Sequence, residues 1–282
     1  MISIRKPSAN RTLIIIAIIG LMSIINPLRF PTLSNLISMS YQLPIIAFLS
    51  IGMALTMLSG GINLAIIATA NFAGIITVTV LKALYGEGST AATIGGTLLA
   101  MGGGLVAALL IGLIIGYLIA YVEVPAILAT LAIMTLLNGV NVVITKGYTL
   151  SGLPSFLIGI GNGTGAGIPI PFIVFIVICI ILAIVLKRTV FGVSLYLLGA
   201  NPTAARYSNI NVRRMLVYTY LWSAFFSALT SFIMMGSLIQ LRPTMPNLTF
   251  LWLYWPVFSA VSILSAESDN YPGWSWPLSY CN

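Results

Sequence analysis

Long runs of apolar residues without a charge dominate this chain and limit what it can fold into. Residues 62–81, for example, contain no Asp, Glu, Lys or Arg. A helix needs about 20 mostly apolar residues to cross the hydrocarbon core of a bilayer. Only 6% of the whole chain is charged, whereas soluble domains carry about 25%. So few charges would not cover a surface that faces water, and we therefore predict an integral membrane protein.

Seven segments are long and apolar enough to span a membrane, which predicts an all-α, polytopic transmembrane helix bundle. The predicted spans are residues 12–28, 42–58, 62–81, 92–122, 125–145, 169–186 and 216–241. The first segment has a signal peptide as an alternative, but no small-residue cleavage site follows it, which favours an anchor. The fourth is long enough to tilt, or to kink at its three consecutive glycines, residues 102–104.

Positive charge is concentrated in two segments, and this predicts the orientation of the spans. Residues 1–11 and 187–215 hold eight of the twelve basic residues. Basic segments close to spans stay in the cytoplasm, and alternating spans bring both segments there when the N-terminus is cytoplasmic. The loops at 29–41, 82–91 and 146–168 then face outward. Because bilayer topology explains these sparse charges, we expect no nucleic acid partner.

Several kinds of chemistry are excluded or made improbable by the residues that are missing. The chain has no His and only two cysteines, Cys179 and Cys281. This excludes His-based catalytic triads and argues against a His/Cys metal site or a disulfide framework. No P-loop is present, so nucleotide should not bind here. We expect no catalytic, cofactor-binding or metal-binding residues.

Polar side chains inside the apolar runs are candidates for a solute path. Residues 59–65 read Ser-Gly-Gly-Ile-Asn-Leu-Ala, where two glycines and Asn63 interrupt two apolar runs. Asn71 follows in the third span, and Asn138 with Asn141 lies on one face of the fifth. These amides either hydrogen-bond a polyol that passes through or satisfy each other and the backbone between packed helices. A lack of charges inside the spans weakens an ion-coupled carrier and suits a neutral polar solute.

The segment 187–215 contains a helix start signal. Asn201 can cap a short helix with Pro202 at its first position, which places Ala204, Ala205 and Arg206 on a surface helix. A short helix with small side chains is suited to docking into a groove of a partner. The alternative is a basic loop that lies on anionic lipid.

Three motifs in order resemble those of sugar-type ABC importer permeases, the ribose permease family. The first is Gly-Gly-Ile-Asn-Leu at residues 60–64, where the family has Gly-Gly-Ile-Asp-Leu, so that Asn63 replaces the usual Asp. The second is Pro-Ala-Ile-Leu-Ala-Thr-Leu at 125–131. The third runs from Phe-Gly at 191–192 through Leu-Gly-Ala-Asn at 198–201 to Ile-Asn-Val at 210–212. The order and spacing hold from about residue 30 to residue 243.

This resemblance implies a transport function in a bacterial inner membrane. The chain would be a permease subunit that moves a neutral, pentose-like sugar without catalytic residues of its own. Its implied partners are a cytoplasmic ATP-binding subunit that docks around Asn201, Ala204, Ala205 and Arg206, a periplasmic sugar-binding protein, and a second or sister permease. Alternatives are a non-transporting remnant of such a permease and, less favoured, an ion-coupled secondary transporter.

The composition of the chain changes near residue 245. Four of the five tryptophans and half of the acidic residues fall in the last 31 residues. New codons can be built from the third base of each codon and the first two bases of the next. At several pairs of neighbouring residues, these shifted codons can encode only an apolar residue. Over 252–273 they also permit a Gly-rich segment like the one that the resembled family has there. We therefore expect a frameshift between about 242 and 249. Residues 1–249 would form an incomplete transmembrane permease domain and residues 250–282 an out-of-frame tail, of which residues 265–282 should be poorly ordered or misplaced.

Overall fold

Helices make up nearly all of the described structure. The computed structural model describes residues 20–26, 30–86, 93–148, 155–165 and 168–236, with the single residues 13, 16 and 28. Within these residues, six helices are long and apolar enough to cross a membrane: α1 Leu33–Leu58, α2 Ile66–Tyr85, α3 Ile94–Ala120, α4 Ala126–Thr145, α6 Ile170–Arg188 and α9 Val212–Gly236. The prediction of an all-α, multi-pass membrane protein is confirmed.

Three shorter helices and a minimal hairpin connect or follow these six. The helices are α5 Ser155–Asn162, α7 Val190–Ala200 and α8 Pro202–Tyr207. The hairpin joins β1 Thr164–Gly165 to β2 Ile168–Pro169, which pair antiparallel with Thr164 opposite Pro169. Of the first predicted span, residues 20–25 are described and helical. Residues 12, 14, 15, 17–19 and 27 of that span, the end of the seventh beyond residue 236, the frameshift position and the tail 250–282 lie outside the described residues.

The predicted loop at 29–41 is wrong, because α1 starts at Leu33 and not at residue 42. Thr32 caps the helix by accepting a hydrogen bond from the backbone N–H of Asn35 at 3.3 Å. The hydroxyls of Ser38 and Ser40 donate to carbonyls four residues earlier, at 2.9 Å each. These local bonds satisfy polar side chains within the segment, so the helix extends through it.

The predicted loops at 146–168 and 187–215 also contain helices. In the first, α5 packs with Gly161 against Gly236 of α9, which leaves no room for a side chain at either position. In the second, α7 buries Leu195 and Leu198 in the same apolar cluster as Phe48. Both helices are too short to span, and their stability comes from these contacts, which the local sequence does not reveal.

Helix α9 is the centre of the bundle, with α1, α2, α3 and α5 packed around it. Its crossing with α3 is close because Gly112 and Gly116 present bare backbone there. A Cβ atom added at Gly112 would lie 2.6 Å from the Cβ of Ala224, and one at Gly116 would lie 2.9 Å from the Cα of Val217. Helix α3 continues unbroken through its three consecutive glycines. Small residues therefore set the helix spacing, as is usual inside membranes.

Candidate solute path and coupling surface

The turn between α1 and α2 is built by its two glycines. Helix α1 ends in a Schellman motif, in which Gly61 N–H donates to the carbonyl of Thr56 at 2.9 Å and Gly60 N–H to that of Met57 at 3.0 Å. Gly60 has a φ of +85°, which favours glycine. Gly61 lies against the hydroxyl of Tyr220, and any Cβ there would collide with that oxygen. The double glycine thus ends one helix and lets the turn approach α9.

Asn63 holds this turn against α9. Its side-chain amide donates to the hydroxyl of Ser223 at 2.9 Å, and its oxygen accepts from the backbone N–H of Ala65 at 3.0 Å. A third bond comes from α4, where the Thr130 hydroxyl lies 3.1 Å from the carbonyl of Ile62. Asn63 is buried, and both of its polar atoms have partners within the protein. The turn is therefore fastened to two helices that follow it far along the chain.

The other three amides lie in different environments. Asn71 is buried on α2 and Asn138 is half-buried on α4. Asn141 is 0% exposed on α4, and neither its side-chain nitrogen nor its oxygen has a hydrogen-bond partner within the described residues. No hydrogen bond found between described residues joins one of the four amides to another. Of the four, Asn141 is the fully buried amide whose two polar atoms both lack a partner among the described residues.

The sequence analysis did not identify the polar face of α9 that packs against the turn. Tyr220 and Ser223 are buried beside residues 60–63, and the Tyr220 hydroxyl has no partner within the described residues. Further along α9, the hydroxyls of Ser227 and Thr230 donate to carbonyls four residues earlier, at 3.0 and 2.8 Å. The signal was present, because Thr219, Ser223 and Ser227 recur every four residues and so lie on one helix face.

The short helix predicted after Asn201 is present as α8, and both of its ends are capped. Asn201 caps it by accepting from the backbone N–H of Thr203 at 2.9 Å and of Ala204 at 3.1 Å. At the other end, Asn209 adopts a φ of +59°, and Ile210 N–H donates to the carbonyl of Ala205 at 3.1 Å. These bonds define a rigid helix of six residues.

One side of α8 is buried and the rest is open. Ala205 is 0% exposed and belongs to the apolar cluster between α1, α7 and α9. Asn201, Ala204 and Arg206 are exposed, and Tyr207 is 89% exposed. Ala205 therefore anchors α8 to the bundle, and the exposed residues form the surface that a partner would meet.

Charges stay at the ends of the six long helices. Lys82 lies in the last turn of α2, Lys187 and Arg188 in the last turn of α6, and Arg213 and Arg214 in the first turn of α9. Within the described part of the chain, no group of three His, Cys, Asp or Glu residues is placed to hold a metal ion. The interior offers hydroxyls and amides, which can hydrogen-bond a neutral solute.

Comparison with known proteins connects this bundle to membrane transport. A family described as branched-chain amino acid transport system / permease component matches residues 35–265, a range that passes residue 249. A ribose import permease of Haemophilus influenzae is 30% identical over 82% of this chain and 69% of its own length. The ribose import permease of Escherichia coli K12 is 29% identical over 82% of this chain and 70% of its own length.

Other relatives carry other substrate names. A xylose/arabinose import permease of Sulfolobus acidocaldarius is 29% identical over 75% of this chain and 58% of its own length. An autoinducer 2 import permease of Yersinia enterocolitica is 26% identical over 78% of this chain and 58% of its own length. No solved structure matches the chain significantly.

Proposed function

The chain belongs to the family of branched-chain amino acid transport system permease components, and we propose that it is the membrane-spanning subunit of an importer for a neutral, pentose-like sugar. Members of this family are permease components of transport systems and are not enzymes. Relatives named for ribose and for xylose/arabinose support the sugar class. Support also comes from the described spans, in which every charge lies in a terminal helix turn.

The sugar would pass beside α4, where Asn141 offers an unpaired amide. Burying a polar group without a partner costs about 1–3 kcal/mol. A sugar hydroxyl or a water molecule in the path would remove that cost by bonding to both polar atoms of the side chain. Asn71 and Asn138 remain candidates for the same path, whereas Asn63 would hold the turn in place while helices move.

The energy for transport would come from a separate cytoplasmic ATP-binding subunit that docks on α8. The observation that carries this proposal is that α8 is capped at both ends and exposes all its residues except Ala205. ATP binding in that subunit would shift the permease between outward-open and inward-open states. A periplasmic sugar-binding protein would deliver the sugar on the other side, and a second or sister permease would complete the path.

This function requires α8 to face the cytoplasm of a bacterial inner membrane, with the N-terminus on the same side. The basic clusters at 1–11 and 187–215 support that orientation through the positive-inside rule. The docking surface itself would be formed by Asn201, Ala204, Arg206 and Tyr207, with Ala205 as the buried anchor.

A bulky side chain on α8 tests the proposed docking. Ala204→Trp should lower uptake of labelled ribose or xylose about tenfold, which corresponds to about 1.4 kcal/mol of lost docking free energy. The side chain of Ala204 is exposed, so the fold should tolerate the change. Uptake is measured in cells in which the variant replaces the native gene, at equal membrane levels of the protein.

The matched control is Ala132→Trp, because Ala132 is also an exposed helical alanine but lies on α4. Its uptake should stay near that of the native protein. Equal uptake by the Ala204→Trp variant and the native protein would refute docking on α8. Uptake that stops when the proton gradient collapses while ATP remains high would refute the ATP-driven importer as a whole.

A further inference from the structure

A cavity of about 280 Å³ opens on the outside of the bundle between the basic end of α9 and the adjoining end of α3. Its wall consists of Tyr117, Tyr121, Tyr218 and Arg214, with Leu113 and Val217 beneath. The rings of Tyr117 and Tyr121 stack with centroids 5.2 Å apart. Tyrosine and arginine together at a span end are typical of the level at which lipid headgroups lie.

The charge in this cavity is not balanced. Of the two neighbouring arginines, Arg213 lies 3.3 Å from the carboxylate of Glu123 and 5.8 Å from the ring centroid of Tyr121. Arg214 forms no ion pair with any described residue, although its backbone N–H donates to Asn211 at 3.1 Å. Both arginines are in the first turn of α9, where the helix dipole adds further positive potential. The cavity therefore favours an anion.

A second cavity, also of about 280 Å³, continues the first one into the span. Tyr218 lines both, and the other residues of the second are Leu109, Leu221, Trp222 and Phe225. Its α3 residue Leu109 lies four residues before Leu113, and its α9 residue Leu221 lies four residues after Val217. The second cavity is therefore about 6 Å farther from the basic end of α9. This second wall is apolar and aromatic. An open depression lined by one arginine and three tyrosines thus leads into an apolar groove along the same two helices.

We propose that these two cavities bind one anionic phospholipid. Its phosphate would contact the Arg214 guanidinium and accept hydrogen bonds from tyrosine hydroxyls, and one acyl chain would lie along Trp222 and Phe225. Basic pockets between span ends suit such headgroups. A ligand that is only polar or only apolar would match one of the two cavities but not both. A helix from a second copy fits less well, because Gly112 and Ala224 already face each other and the outer groove presents only bulky residues.

Native mass spectrometry of the purified full chain tests this site with two added lipids, phosphatidylglycerol and phosphatidylcholine of the same acyl chains. The native protein should bind phosphatidylglycerol more tightly. Arg214→Gln should weaken that binding about five-fold, the factor expected for one basic residue at an anionic lipid surface. It should weaken phosphatidylcholine binding by a smaller factor, because the choline offsets the charge of that lipid's phosphate. Tyr218→Ala, at the residue shared by both cavities, is a second variant and should weaken the binding of both lipids.

Arg188→Gln is the matched control, because Arg188 is an exposed arginine at the end of a different span, α6. It should retain the affinity of the native protein. The proposal is overturned if the native protein does not prefer phosphatidylglycerol, if Arg214→Gln binds it as the native protein does, or if Arg188→Gln loses the same affinity. A dimer that dissociates in Arg214→Gln with unchanged lipid binding would assign the groove to a second copy and would also overturn it.

Discussion

At the scale of single residues, two buried asparagines have opposite roles although both interrupt apolar segments. Asn63 is bonded on both polar atoms, to Ser223 of α9 and to the backbone of Ala65. Asn141 is bonded on neither within the described residues. Removing a paired buried amide leaves its partners unsatisfied, whereas removing an unpaired one costs the fold little. Under the proposed function, this difference would separate a residue that holds the structure from one that bonds to the solute.

Substitution by leucine should distinguish these roles. Asn141→Leu should lower sugar uptake about tenfold while the thermal stability of the purified protein stays equal or rises, because an unsatisfied polar group is removed. Asn63→Leu should instead destabilise the protein by about 1 kcal/mol, because it leaves the Ser223 hydroxyl and the Ala65 N–H unpaired. Uptake of labelled ribose or xylose and melting in detergent are the two measurements. If Asn141→Leu melts well below the native protein, its role is structural.

At the scale of elements, helix spacing depends on where glycines meet a neighbour. Helix α3 contains glycines of two kinds. At Gly112, an added Cβ would lie 2.6 Å from the Cβ of Ala224 and 2.9 Å from the carbonyl oxygen of Tyr220. At Gly102, the same atom would meet nothing within 4 Å. One glycine is therefore required by the α3–α9 contact, and the other is not required by any described neighbour.

Alanine at these two glycines should have opposite effects on stability. Gly112→Ala should destabilise the protein by about 1–3 kcal/mol, because the helices must separate to admit a methyl group. Gly102→Ala on the same helix should be neutral or stabilise by up to about 1 kcal/mol, since alanine favours the helical backbone. Thermal unfolding of both variants in one detergent is the measurement. Equal melting temperatures would contradict the packing described for α3 and α9.

At the scale of the whole molecule, the order of the long helices predicts which residues lie on opposite sides of the membrane, and thiol labelling can test this. One long helix, α6, lies between Tyr148 and Ser208, so these two exposed residues belong to opposite sides of the membrane if α6 spans it. In the proposed orientation, which rests on the basic clusters, Ser208 would lie on the cytoplasmic side. The short helices α5 and α7 do not change this count, because neither is long enough to cross.

Single cysteines introduced into a chain with Cys179 and Cys281 replaced by serine provide the test. A membrane-impermeant thiol reagent applied to intact spheroplasts should label Tyr148→Cys, and it should label Ser208→Cys only after the membrane is opened. The reverse pattern would invert the orientation and remove the proposed ATPase contact. Labelling of both from outside would show that α6 does not cross.

The sequence by itself determined the membrane class, the approximate positions of six spans and the cap at Asn201, because hydropathy and capping depend on residues close together in the chain. Only the tertiary structure decided that segments read as loops contain α5 and α7, that Ala205 is buried beneath α8, and that Asn63 is paired while Asn141 is not. Each of these depends on a neighbour from a distant part of the chain, such as Ser223 for Asn63. Local patterns carry no information about such neighbours, since burial and hydrogen-bond partners arise when the helices pack.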